Sequence, residues 1–194
     1  MLNLMEDKYK VVINKIDQLL KIKDPIYVVI DGKCGGGKTT LATYLKDHYQ
    51  CSVIHMDDFF LQPHQRVKER YQEAGGNVDY ERFEKEVISR LKVNSTFDYQ
   101  IFDCVEMKLS DYTTVNKNNL YVVEGSYSLN PYFSLTYDLK IFIDIDKDKQ
   151  KERIIKRNVI EKYKMFEELW IPYENNYFDT FKIKELVDLI IDGA

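Results

Sequence analysis

Cysteine is scarce: residues 34, 51 and 104 are the only three in 194. An odd count at no metal-ligand spacing argues against a disulfide framework or a zinc site, so reduced thiols are expected. The three histidines, at 48, 55 and 64, form no cluster. No apolar run approaches a membrane span, and the opening MLNLMEDKYK has acids where a signal peptide needs a basic start and an apolar core. A cytoplasmic location and no membrane partner are therefore expected. Positive charge is not in excess, since 28 Lys and Arg stand against 32 Asp and Glu for a net −4. Nucleic acid usually demands a basic surface, so it is not the expected partner. Any anionic substrate must be caught by a local basic pocket.

What is present suits an ordinary globular chain: 44% apolar and 31% charged residues. No repeat, low-complexity tract or linker divides it, and one domain over 1–194 is expected. Residues 6–22 carry Tyr9, Val12, Ile16, Leu19 and Leu20 at helical spacing, ending before Asp24-Pro25. Short apolar strands are expected at 26–30, 51–54, 120–125, 138–145 and 186–192. Helices are expected after the first, over 81–91, and after Asp146. Such alternation predicts an α/β fold with a mainly parallel five-stranded sheet covered on both faces. Two stretches resist assignment, 61–79 and 161–178. Their length suggests an acceptor-side flap and, over about 150–178, a lid.

Half of the eight glycines fall in one loop, GKCGGGKT (32–39), which matches G-x-x-x-x-G-K-[ST] between a predicted strand and a predicted helix. Gly32, Gly35, Gly36 and Gly37 allow backbone N–H groups to turn inward around phosphate oxygens, and the helix dipole adds positive potential there. Lys38 is expected to reach the β- and γ-phosphates of ATP, Thr39 to hold Mg²⁺ through its hydroxyl, and Thr40 to continue the cradle. Lys33 either adds charge near the phosphates or points to solvent. Cys34 is a small filler or, in an electropositive loop that lowers thiol pKa, a redox switch.

Acids gather where strands of a parallel sheet end, the usual ligand edge. Asp57 and Asp58, in HMDDFF (55–60), lie there with Glu124. Phosphoryl transfer to an alcohol needs a metal on the phosphates, a carboxylate to take the hydroxyl proton, and cations on the transferred group. Glu124 suits the metal or its water, or else a cap; one of the paired aspartates suits the acceptor hydroxyl. Arg153 and Arg157, four apart on one predicted helix, either close over phosphates or belong to a solvated basic face. Phe59 and Phe60 either sandwich a planar substrate or pack in the core.

The segments GKCGGGKTTLA, CSVIHMDDFF, GGNVDYERF, YQIFDC and VVEGSY occur in the order seen in the uridine kinase-like P-loop kinases, a resemblance spanning roughly 26–192. It implies a P-loop three-layer α/β/α sandwich and transfer of the ATP γ-phosphate to a small-molecule hydroxyl, a nucleoside being the favoured acceptor. A slow nucleotide-binding ATPase module without an acceptor, or a kinase for a non-nucleoside such as pantothenate, are the alternatives. By the same resemblance Asp57 is the hydroxyl base, with Lys38 and Arg153 also catalytic and Arg157 on the nucleotide. Glu124 is the strand-end metal acid, Asp79 a sugar contact, and Phe102 and Asp103, with Phe59, line the acceptor pocket. The chain departs from the family at VEMKL (105–109), where uridine kinases carry a His and an Arg, and at Asn158, which replaces an acid. A W-x-P-x-E-x-x-Y-F segment (170–178) is similar to one in bacterial uridine kinase-like proteins.

Overall fold

The computed structural model describes residues 2–157 and 160–193; Asn158 and Val159 lie outside the described residues. Five strands form one sheet: β1 (Ile26–Gly32), β2 (Ser52–His55), β5 (Leu120–Glu124), β6 (Leu139–Asp144) and β7 (Leu189–Asp192). Their order is β2-β5-β1-β6-β7, and all four pairings are parallel. β1 is central and wholly buried. Alternation along it sends Ile26, Val28 and Ile30 to one apolar layer and Tyr27 and Val29 to the other.

The first layer is closed by α1 (Leu2–Leu20), through Tyr9, Val12 and Ile16, and by α2 (Lys38–Tyr49), through Leu41 and Leu45. The second is closed by α4 (80–91), through Phe83, Val87 and Leu91, and by α6 (160–180), through Tyr177 and Phe178. Between α2 and α4 lie β2 and α3 (Lys68–Gln72); α5 (Lys147–Arg157) follows β6. The result is a three-layer α/β/α sandwich. Among the described residues no helix is long and apolar enough to cross a membrane.

Three elements depart from the sequence reading. An antiparallel hairpin, β3 (Phe97–Asp103) and β4 (Lys108–Val115), stands apart from the main sheet. Along β4 only Val115 is buried, so the strand lacks the apolar alternation that would reveal it. Residues 61–79 are not simply a loop, since they hold a short turn at Pro63–Gln65 and the helix α3. Residues 161–178 are helical, but a π-type turn at Phe166–Trp170 inserts extra residues per turn and breaks the 3.6 periodicity into two phases.

Asp31, fully buried at the end of β1, ties these parts together. Its carboxylate accepts from the Gly32 and Leu129 N–H groups at 2.7 and 3.0 Å and from the Tyr177 hydroxyl of α6 at 2.8 Å. Burial outweighs those bonds and raises its pKa from 3.8 to about 6. Between those values the native state keeps a proton the unfolded chain has released, so Asp31 makes stability fall as pH rises through that window. The shift amounts to about 3 kcal/mol. Asp31→Asn, which cannot ionise, is expected to remove this slope, seen as a smaller drop in Tm than wild type between pH 4 and 6.5.

Candidate active site

The phosphate loop leaves β1 at Gly32, whose φ is +137° and where a Cβ would sit 2.2 Å from the Ile143 carbonyl oxygen, so only glycine fits. The loop then runs into α2, whose first N–H groups have no partner within the helix and face the cleft. Lys38 is buried and folds back over the loop. Its Nζ donates to the Gly32 and Lys33 carbonyls at 2.6 and 3.0 Å and to Ser126 Oγ at 3.1 Å. Beside it the Thr39 hydroxyl donates to Glu124 Oε1 at 3.1 Å, and His55 Nδ1 lies 2.6 Å from that same oxygen. Glu124 is buried at the end of β5. The following Gly125 passes so close to Met56 that a Cβ would sit 2.6 Å from the Met56 Cβ.

A cleft of about 990 Å³ opens above the loop. Cys34, Gly35, Gly36, Gly37, Lys38, Thr39, Thr40, Asp57, Glu124, Arg153 and Arg157 all line it. From α5, Arg153 donates to the Gly35 and Gly36 carbonyls at 3.3 and 3.4 Å, which sets its guanidinium against the loop. Asp57 is open to the cleft, yet enough protein surrounds it that burial raises its pKa above the usual carboxylate value. Lys38 opposes this rise, and Glu124, Asp58 and Glu174 add to it.

A short 3₁₀ turn at Met56–Phe59 separates the two aspartates. Asp57 faces the cleft, while Asp58 turns to the hairpin, where Oδ2 accepts the Tyr99 hydroxyl at 2.7 Å. The Asp58 carbonyl also takes Arg82 Nη2 at 2.5 Å. Asp58 is thus an anchor for β3.

Besides Gly32, at the foot of the loop, five expected site residues stand away from the cleft lining. Lys33 pairs with Asp144 at 2.8 Å and donates to the Ile145 carbonyl, so its charge is tied to the end of β6. Phe59 is fully buried against Phe83 and Tyr99, with the Arg82 guanidinium 4.0 Å from its ring centre. Its neighbour Phe60 is the one that lines the cleft. Asp79 caps α4, accepting from the Arg82 N–H at 3.0 Å and from Gln65 at 2.9 Å. Phe102 is buried in the hairpin. Asp103 accepts the N–H groups of Val105 and Glu106, which hold its pKa down and close the hairpin turn. Residues next to these, Asn77, Cys104 and Met107, reach the cleft instead. Cys34 also differs from a low-pKa switch, because burial first and Glu174 second push its thiol far up.

Other lining residues have no strong signal in the sequence. Lys8 and Tyr9 come from α1, Arg66 and Tyr71 from the 61–79 segment, and Ser126 and Tyr127 follow β5. Trp170 and Glu174 come from α6, and only the W-x-P-x-E-x-x-Y-F spacing pointed to them.

No family model matches the chain. It is 28% identical over 175 residues to a uridine kinase of Ureaplasma parvum, covering 84% of each chain. It is 27% identical over 188 residues to one of Clostridium perfringens, covering 88% of each. A solved structure of a possible uridine kinase from Bacillus stearothermophilus superposes with a TM-score of 0.65 at 20% identity, covering 93% of this chain and 99% of that one. Over most of its length the chain is thus similar to uridine kinases, and the superposition shows that it shares the P-loop kinase fold.

Proposed function

We propose that this kinase transfers the γ-phosphate of ATP to a hydroxyl of a nucleoside or a similar ribosylated metabolite. One observation carries the reading: a carboxylate, Asp57, and the phosphate loop face the same cleft. In this reading the loop amides and Lys38 hold the donor phosphates, and Arg153 and Arg157 neutralise charge on the group in flight. Asp57 orients the acceptor hydroxyl and takes its proton. Thr39 and Glu124 offer one hydroxyl and one carboxylate oxygen at the loop. That pair suits Mg²⁺, which takes one or two protein oxygens beside phosphates and water. When bound, the ion neutralises phosphate charge.

The acceptor end supports a flat, partly polar molecule. Phe60 and Trp170 lie with ring centres 6.5 Å apart, Tyr71 stacks on Tyr173, and Arg66 and Asn77 supply donors at the same wall. Cys104 and Met107 line the hairpin side of the cleft, and Met107 falls in VEMKL (105–109), where the resemblance places a His and an Arg in uridine kinases. That substitution favours a second reading, a kinase for a non-nucleoside hydroxyl such as pantothenate.

The test is ADP formation by the purified chain with nucleosides, nicotinamide riboside, pantothenate and sugars against no acceptor. Stimulation by a nucleoside is expected. Stimulation by pantothenate or a sugar alone would move the assignment to the second reading, and none from any acceptor would leave a nucleotide-binding ATPase module.

A further inference from the structure

The donor cradle already contains an anion of the chain's own. Glu174, on α6, is 5% exposed. One carboxylate oxygen, Oε2, accepts the Cys34 N–H at 2.9 Å, and the other, Oε1, takes the Ser126 hydroxyl at 2.6 Å. Ser126 Oγ is 3.0 Å from the Gly32 carbonyl as well, but a hydroxyl has one proton, and the shorter contact is to Glu174. Ser126 in turn receives a donor from Lys38. Among the described residues Glu174 makes no ion pair of its own. A loop amide and a hydroxyl hold it, with Lys38 bonded to the same hydroxyl, devices that a phosphate loop offers a phosphate oxygen.

Its position along the cradle can be read from its partners. The amides at the start of α2 serve the α- and β-phosphates, and Lys38 reaches toward β and γ. Glu174 lies one hydroxyl beyond Lys38 and contacts Cys34, at the opposite end of the loop from the helix start. That is the γ end. We propose that Glu174 is a resident stand-in for the γ-phosphate and sets the donor site's preference among nucleotides. A nucleoside diphosphate enters with Glu174 in place, whereas a triphosphate must expel it. The inference rests on the reading of the loop as the donor cradle.

Expulsion has a mechanical consequence for the acceptor wall. Trp170 lies one turn before Glu174 on the same helical run and faces Phe60. Tyr177, fully buried one turn beyond and bonded to Asp31, keeps the far side of the helix attached. Arrival of the γ-phosphate therefore shifts the turn that carries Trp170, so a triphosphate reshapes the acceptor wall and a diphosphate does not.

The chain has a single tryptophan, so its emission reports Trp170 directly. The full chain is titrated with Mg²⁺ and either ADP or a non-hydrolysable imido analogue of ATP, read by calorimetry and by tryptophan fluorescence. In wild type the analogue is expected to change the emission and ADP to leave it unchanged. Glu174→Gln keeps an acceptor for Cys34 and a partner for Ser126 but removes the charge. It is expected to tighten analogue binding about tenfold, roughly 1.4 kcal/mol, with ADP affinity moving less than about twofold. An unchanged analogue-to-ADP affinity ratio in the variant would overturn the inference. So would a wild-type emission change common to both nucleotides, an arm that needs no variant. If wild type bound neither nucleotide, the donor-site reading itself would fall and this inference with it.

Discussion

Asp57→Asn is expected to lower kcat by about 10²–10⁴-fold, the usual worth of a general base and roughly 3–5 kcal/mol of barrier, while the ATP analogue still binds. Asn fills the same space but cannot accept the acceptor's proton. Asp57 sits on a short 3₁₀ turn just past β2, and the turn residues on either side of it are partly or fully buried, so the amide is held where the carboxylate was. Its nearest charged influences are Lys38, Glu124, Asp58 and Glu174, the groups around the loop. Loss of a negative charge there does not weaken the hold on an anionic donor. The adjacent residue is the control. Asp58→Asn disturbs the Tyr99 hydroxyl and so the seat of the hairpin. It is expected to cost about 1 kcal/mol of stability and only a few-fold in kcat. Equal losses in kcat from the two variants would show that the proton acceptor has been assigned to the wrong residue. Steady-state kinetics with calorimetric binding of the analogue separates these outcomes.

Lys38→Ala is expected to reduce phosphoryl transfer by at least about 10²–10³-fold, and by the same factor for every acceptor that the wild type uses. In the proposed function the lysine acts on the donor, so acceptor identity cannot rescue it. Part of the effect is structural. The ammonium closes the loop on itself through the Gly32 and Lys33 carbonyls, and truncation leaves those carbonyls without their donor. Unlike Asp57→Asn, Lys38→Ala should therefore weaken analogue binding as well as turnover. Binding that stays intact while turnover collapses would confine Lys38 to the reacting group. The two variants together divide the cleft into a donor half and an acceptor half by their effect on binding alone.

The phosphate loop was legible in the sequence because its pattern is local. Four glycines, a lysine and a threonine within eight residues, after an apolar strand, can be read without any long-range contact. The five strands of the main sheet were legible for the same reason, each being a short apolar run buried on both faces. The acceptor half was read less well. Phe59 and Phe60 are indistinguishable as letters, and only the turn at Met56–Phe59 decides that Phe59 enters the core and Phe60 the cleft. Asp79 and Asp103 are acids in the right neighbourhood whose oxygens are taken by nearby donors, one as a helix cap and one as a turn closure. Aspartate commonly serves in both ways, and sequence alone does not separate a cap from a ligand. Glu174 was hidden differently. It lies 140 residues from the loop amide that it binds, inside a helix whose periodicity is broken by the π turn.

The hairpin stands outside the parallel sheet, seated on the main body in part by Asp58 and Tyr99, with its tip at Cys104 and Met107 on the rim of the cleft. Residues 97–115 are therefore a cassette. Under the proposed function, exchanging the 104–107 tip for that of a relative is expected to change the acceptor preference while the central strands and the phosphate loop stay as they are.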